Sequence, residues 1–289
     1  MNSVILGGAG WNTMIDVGRF PEPHAHTVFA HGMHQAIGAS GAGKALNLAG
    51  LGVDVDLWAL VGDDEPGTKV RDGLEAAGVQ FHAVTDPHGT SQHFNLMNAE
   101  GERISIFGNA GSLSAAIDPE PMRLLIERAD MIAVTILDHC RAFLPIAAAA
   151  DGDLWIDIHD YDGVNPHHDE FIACADALLM SSIAMPDWRP FLEAQVAGGV
   201  KVAIATHGSA GASGLTAGVG WVEVAPVVAD VVDTNGAGDA FFAGFCVANA
   251  AGETFEASLH AGAAHAARAV ASPNLAPHVS EQDDGIAKR

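Results

Sequence analysis

One run of this chain has the residue types and spacing to hold an anion and move a proton: Val231-Val-Asp-Thr-Asn-Gly-Ala-Gly-Asp239-Ala-Phe-Phe-Ala-Gly-Phe245. It reads as a strand-to-helix turn. Gly236 and Gly238 let the backbone bend sharply, and Asp239 falls in the first turn of an apolar helix. The backbone N–H groups of Gly236, Ala237 and Gly238, lying along a helix N-terminus, would form an anion hole for a phosphoryl group in flight. A carboxylate beside them can accept the proton of an attacking hydroxyl. Taken alone, G-A-G-D reads more readily as a turn with a capping Asp.

Other residues could meet a small molecule. Ile156-Asp-Ile-His-Asp160 ends an apolar strand, where open α/β sheets place their ligands, so Asp157 or Asp160 could contact an acceptor or a magnesium-bound water, or simply cap the next loop. Asn95 and Asn109 could hydrogen-bond a polyol or serve surface turns. Gly38-Ala-Ser-Gly-Ala-Gly43-Lys44 matches G-x-x-x-x-G-K, but Ala45 replaces the Ser or Thr that a phosphate-binding loop needs for magnesium. No convincing parallel strand precedes it either, because Thr27–Ala36 is broken by His31-Gly-Met-His34. The start of that helix is expected to touch substrate, and Lys44 receives no role. Gly7-Gly-Ala-Gly10 leads into a strand pattern rather than a helix, which argues against a dinucleotide fingerprint. His24, His26, His31 and His34 have the spacing of no closed metal site and read as solvated.

The elements that must carry these residues follow from periodicity. Strands are expected at Ser3–Leu6 and Trp11–Val17, a small-residue helix at Gly41–Leu51, a strand at Val55–Val61 and a helix at Glu65–Ala77. Gln80–Val84, Ser91–Met97 and Arg103–Phe107 alternate in polarity like a half-exposed antiparallel sheet. From Pro119 onward, Met131–Thr135, Leu154–Ile158, Ala177–Met180 and Val202–Thr206 are apolar on both faces, as in a parallel sheet covered by helices. Val219–Val224 fits an edge hairpin, and helices close the chain at about Asp239–Ala250 and Phe255–Val270. The expected architecture is a single domain, 1–289, with a small β lid from segments of about 11–36 and 90–108.

Composition narrows the partners. The 289 residues carry 13 Lys+Arg against 36 Asp+Glu, a formal net charge of −23. Such a surface repels nucleic-acid phosphates and anionic lipid heads. No Lys or Arg lies between Lys201 and Arg268, so an anionic nucleotide near Asp239 is expected to rely on backbone N–H groups, helix N-termini and Mg²⁺. Cys140, Cys174 and Cys246 are widely spaced, and the N-terminus has no basic region ahead of its first strand. Both features suit a reduced, cytoplasmic setting.

The run ending in Asp239 closely resembles the C-terminal signature of the ribokinase-like (PfkB) carbohydrate kinases, D-T-x-G-A-G-D-x-F, followed by a small-residue helix. Ala205-Thr-His-Gly208 resembles that family's strand and T-x-G turn beside ATP. Phe20-Pro-Glu-Pro23 stands where L-P-x-P-G-E is common, and Gly38–Gly52 resembles the G-G-x-G-A-N helix. The resemblance spans nearly the whole chain. It implies a three-layer αβα sandwich with a mostly parallel central sheet and a small β-sheet lid, and ATP-dependent transfer to a hydroxymethyl group of a sugar or nucleoside-like molecule. A sensor derived from the same fold, binding without catalysis, is the alternative.

By that resemblance Asp239 is the base and Gly236, Ala237 and Gly238 the anion hole. Asp233 and Asn235 form a monovalent-cation (K⁺) loop. Thr206, Gly208 and Thr234 lie near the nucleotide, with His265 and Asn274 near adenine, and two copies pair through the lid. The acceptor end departs from the pattern. Asn12 falls on the family's sugar-binding Asp, Ala39 on a glycine and Gly43 on the Asn that grips hydroxyls, and Gly38 is a further expected substrate contact. After Ala177–Met180, Ser181-Ser-Ile-Ala-Met185 lacks the N-x-x-E that organises Mg²⁺. An amide offers one neutral acceptor where a carboxylate offers two charged ones, and Gly43 offers no side chain, so the pocket is expected to be roomier and to suit a bulkier acceptor than ribose.

Overall fold

The computed structural model describes residues 1–99 and 101–277. Its strands are β1 (Asn2–Leu6), β2 (Gly10–Gly18), β3 (Gly32–Gly38), β4 (Asp54–Val61), β5 (Gln80–Thr85), β6 (Ser91–Asn98) and β7 (Arg103–Asn109). They continue with β8 (Met131–Thr135), β9 (Asp153–Asp157), β10 (Ala177–Ser181), β11 (Val202–Thr206), β12 (Ala212–Thr216) and β13 (Gly220–Val224). The helices are α1 (Ser40–Gly50), α2 (Glu65–Ala76), α3 (Arg123–Arg128), α4 (Leu144–Ala147), α5 (Asp169–Ala173), α6 (Trp188–Ala197), α7 (Ala237–Ala250) and α8 (Phe255–Val270).

Nine strands form one sheet in the order β13-β12-β11-β10-β9-β8-β1-β4-β5. All its pairs are parallel except the β11–β12–β13 edge, which is the hairpin expected from sequence. Alternate residues of each strand feed two cores. Ile5, Leu57, Ala133 and Leu179 pack with α1, α2, α7 and α8, while Val4, Leu6, Ile132, Val134 and Leu178 pack with α3 to α6. Burial on both faces is why these strands read as unbroken apolar runs. Helix α1 stops where Gly52 takes φ +81°, so that Gly52 and Val53 donate back to Ala49 and Leu48.

A second sheet, β3-β2-β6-β7, is the lid. Three sequence expectations change here. Gln80–Val84 belongs to the large sheet, paired parallel with β4; its alternating polarity reflects an exposed edge strand. A strand does precede α1: β3 spans Gly32–Gly38, antiparallel to β2, so the histidines at its start begin it rather than break it. The lid itself is mixed, because β2 and β6 run parallel. The segment before Asp239 is also not a strand. Residues 225–235 run as irregular backbone into α7, anchored where the Val232 and Asp233 N–H groups donate to Val270 O.

The lid faces two ways. Asn12, His93, Asn95, Ser105 and Phe107 line a cavity on the inner side. By strand register Ile15, Met33, Phe94, Leu96, Ile104 and Ile106 share the outer face, where Met33, Phe94, Ile104 and Ile106 are exposed.

Candidate active site

The C-terminal ends of β1, β8, β9, β10 and β11 open under the lid. Helix α7 begins there at Gly236, which takes φ +76°, with no side chain capping the first turn. The first-turn N–H groups of a helix have no intrahelical acceptors, so this end is a place for an anion. Asp239 sits in that turn, 8% exposed. Gly236, Ala237, Gly238 and Asp239 all line one cavity of about 640 Å³. The glycine turn and the carboxylate are thus side by side, with the Ala237 N–H donating to Thr234 O at 3.3 Å.

Thr206, Gly208, Thr234, Ala237 and Gly238 also border an adjoining cavity of about 480 Å³. Its remaining walls come from residues such as Pro226, Val228, Phe241, Ala263, Ala267 and Val270, with no charged side chain among them. A flat apolar base fits such a slot, and its phosphates would then lie at the start of α7. His265 and Asn274 do not line it. His265 is buried instead, its Nε2 bonded to Asn47 Oδ1 at 2.9 Å and its Nδ1 facing the Arg268 guanidinium at 2.9 Å. It ties α8 to α1 rather than meeting adenine. Asn274 belongs to the turn after α8, its N–H donating to Ser272 Oγ.

The loop assigned to a monovalent cation holds a different charge. The Asn235 N–H donates to Asp233 Oδ1 at 2.8 Å, and Arg103 reaches down from β7 to donate to Asn235 Oδ1. Burial pushes the Asp233 carboxyl above its ordinary range. Thr234 donates to Gly101 O at 2.9 Å, joining this loop to the tip of the lid.

The acceptor side is built from polar side chains. Asn12 is 4% exposed, lies against Gly38, and its Oδ1 has no hydrogen-bond partner among the described residues. Asn95 accepts from Ser105 Oγ at 2.6 Å and lines the same cavity. Asn109 does not line it. Its amide donates to the His88 and Thr90 carbonyls and its oxygen accepts from Gly111, so it holds the turn at the base of the lid. Past Ala39, Ser40, His93, Phe107 and His159 the cavity continues into a second chamber of about 650 Å³. That chamber is lined by Asp86, Ser114, Leu137, His139 and His167, and neither ring nitrogen of His139 has a hydrogen-bond partner among the described residues.

Two backbone outliers stand at the join. Ala39, just before α1, has φ 75° and ψ 150°, and His159, just after β9, has φ 50°. Both are conformations that favour glycine, and both residues line the cavity.

Gly43 departs most from expectation. It leaves no free space: a β-carbon there would lie 2.3 Å from Asp239 Oδ2, so the missing side chain makes room for the carboxylate itself. One residue on, Lys44 is 1% exposed. Its Nζ lies 2.6 Å from Asp239 Oδ1, 2.6 Å from Asp157 Oδ2 and 2.7 Å from Ser40 Oγ. Ser40 in turn donates to Asp239 Oδ1 at 2.8 Å. Burial disfavours the Lys44 charge, but the two carboxylates more than offset this and hold its pKa above the ordinary lysine value. Burial alone would raise the Asp157 carboxyl, yet His159 and Lys44 keep it at about 2. Asp157 therefore reaches the cavity already engaged. The signal for Lys44 was present in the sequence, as the one charged residue of a helix otherwise made of Gly, Ala, Leu, Ser and Asn.

For magnesium, the described residues contain no group of three or more His, Cys, Asp or Glu side chains arranged to hold a metal. Asp160 lines the cavity as an exposed carboxylate, and Ser181-Ser-Ile-Ala-Met185, at and after the end of β10, supplies neither the Asn nor the Glu of the N-x-x-E pattern. That donor set fits a metal carried chiefly by phosphate oxygens and water, as Mg²⁺ often is.

Known proteins resemble this arrangement along the whole chain. Residues 10–150 and 161–282 match the model of the pfkB family carbohydrate kinases. The chain is 31% identical to an acarbose 7(IV)-phosphotransferase of Actinoplanes sp. over 93% of this chain and 92% of that one. It is 31% identical to an ATP-dependent ribose-1-phosphate kinase of Halopiger xanaduensis over 83% and 81%. Among solved structures, a microbiome-derived acarbose kinase, Mak1, superposes with a TM-score of 0.84 at 30% identity, covering 94% and 92%. An Arabidopsis thaliana ribokinase complexed with ribose and ATP shares the fold at a TM-score of 0.78 and 22% identity, covering 94% and 93%. With a nucleotide-sized slot, an uncapped helix start and a buried carboxylate meeting in one cleft, this chain belongs to the pfkB family of carbohydrate kinases, phosphotransferases that act on a hydroxyl acceptor.

Proposed function

We propose that this kinase transfers phosphate from ATP to a hydroxymethyl group of a sugar derivative larger than free ribose or fructose, with Asp239 as the base. The observation that carries the reading is the position of Asp239 in the cavity that joins the nucleotide slot to the long acceptor chamber. The α7 N–H groups would steady the transferring phosphoryl group, Asp239 would take the hydroxyl proton, and the lid would exclude water. Asn12 Oδ1, buried and unsatisfied, suits a bound hydroxyl. Mg²⁺, when bound with ATP, would neutralise phosphate charge, with Asp160 positioned to hold one of its waters. No observation favours a sensor without catalysis.

The extra chamber and the resemblance to acarbose kinases support a substituted sugar; nucleosides are the second class the space admits. ADP release with Mg-ATP, measured over sugars, glycosides and nucleosides, tests this. Larger sugars should give the highest kcat/KM, and best turnover of ribose or fructose would refute the size argument. ATP affinity should collapse in excess chelator. Because Arg103 stands at the Asp233–Asn235 loop, rates should be equal in potassium, sodium and tetramethylammonium salts. The apolar outer lid face supports pairing of two copies there, and Ile104→Glu/Ile106→Glu should halve the mass seen by sedimentation.

A further inference from the structure

We infer that Lys44 is a positioning residue for phosphoryl transfer: its ammonium, fixed beneath the site between Asp157 and Asp239, pins one oxygen of Asp239 and leaves the other to receive the acceptor's proton. The inference rests on Asp239 being the base.

The geometry is complete from the lysine's side. An ammonium has three N–H donors, and Lys44 spends them on Asp239 Oδ1, Asp157 Oδ2 and Ser40 Oγ, all within 2.7 Å. Ser40, one turn earlier on α1, adds its own hydrogen bond to the same Asp239 oxygen. Asp239 Oδ1 thus accepts twice, whereas Oδ2 lies over the bare Cα of Gly43 and makes no hydrogen bond among the described residues. Gly43 and Lys44 act as a unit, since the glycine admits the carboxylate and the lysine anchors it. The Lys44 stem is buried with its Nζ 5.4 Å from the centre of the Phe242 ring, so the head cannot swing to solvent without opening the α1–α7 contact.

Electrostatics gives this anchor a function beyond packing. Two largely buried carboxylates and one ammonium leave the cluster with one negative charge, and Asp239 Oδ2 is the oxygen not engaged by Lys44 or Ser40. Without the ammonium, two carboxylates would compete for protons in a poorly solvated site, and an acid-bound proton blocks base catalysis. The other charged and titratable groups facing the cluster are His159 after β9, Arg103 and His93 from the lid, Asp160 at the cavity rim, and the buried thiol of Cys246 on α7. Among the described residues, only Lys44 bonds to both carboxylates.

Lys44→Met, Asp157→Asn, the double variant and Asp239→Asn form the test, assayed for kcat, both KM values and thermal stability. The single Lys44→Met protein leaves two buried carboxylates without the ammonium they share and is expected to lose stability. The double variant restores the cluster's net charge of −1, and its melting temperature should recover. Its kcat should nonetheless stay on the order of thirtyfold or more below that of Asp157→Asn, with the KM for ATP unchanged, the size expected when a reacting group loses its alignment. A double variant within threefold of Asp157→Asn in kcat, or one whose loss lies in the KM for ATP instead, would show that Lys44 only balances charge. An active Asp239→Asn protein would instead overturn the base assignment, so the two ideas fail separately.

Discussion

The two ends of the cleft are made of different material. The nucleotide slot is walled by glycines, alanines, valines and backbone from β11, α7, α8 and the irregular 225–235 segment, with no charged side chain on its lining. The acceptor end is walled by Asn12, His93, Asn95, Arg103, Asp157 and His159 from the lid and from β9. On the proposed reading, the donor is recognised by shape and by main-chain dipoles, which every sequence possesses once the turn forms, and the acceptor by side chains brought from several elements. A donor site built in this way tolerates little change in its glycines, whereas an acceptor site can be rewritten one residue at a time without touching the chemistry.

Changes at the two ends should separate cleanly. Asp239→Asn keeps size and shape but removes the base, and turnover should fall by about a hundredfold or more with the fold intact. A well-folded variant that keeps most of its activity would leave the cleft without its proposed base. Asn12→Ala should lower kcat/KM for the acceptor by about tenfold, the size of one lost hydrogen bond to a bound hydroxyl, and leave the KM for ATP unchanged. If the ATP KM moved instead, the division of labour between the two ends would be wrong.

A third contrast lies in acid stability. Asp157 is held at about 2, below its ordinary value of 3.8, so it contributes stability that is present above pH 4 and lost as pH falls toward 2. Asp233, at the donor end, is shifted the opposite way by burial, so its protonated form is favoured by folding and it adds nothing to that acid loss. Urea midpoints measured from pH 5 to pH 2 should fall more steeply for the native chain than for Asp157→Asn, and parallel curves would remove Asp157 as the cause. The smallest effect expected is at Ala39. Its φ 75°, ψ 150° backbone strains any residue with a β-carbon, so Ala39→Gly should stabilise the protein by about 1 kcal/mol after glycine's entropy is subtracted. An unchanged or lower melting temperature would mean that the strain is absent in solution.

Much of the fold was legible because both-face burial and 3.6-residue periodicity are local signals. β8 and β11 lie where their apolar runs place them, and α8 starts and stops with its pattern. Misreadings fell where local polarity misreports tertiary place. Gln80–Val84 alternates because it is the exposed edge of the large sheet, and His31-Gly-Met-His34 leads into a strand that pairs with β2. At the site, the glycine spacing before Asp239 announced the turn that opens α7, since a turn of that kind needs only neighbouring residues. Asn109 and His265 could not be assigned in the same way, because the partners that occupy them are respectively about 20 and 218 positions away.

By itself, the sequence determined the layered sandwich, the turn that opens α7 and the carboxylate in its first helical turn. Each depends on residues within a few positions of one another. Only the tertiary structure decided the charge at the centre of the site. The stretch from Lys201 to Arg268 contains no cation, yet Arg103 arrives from the lid, and Lys44 arrives from α1 across 195 residues of chain. A buried ammonium is tolerable only where several oxygens converge on it, and that convergence exists only after β9, α1 and α7 have packed.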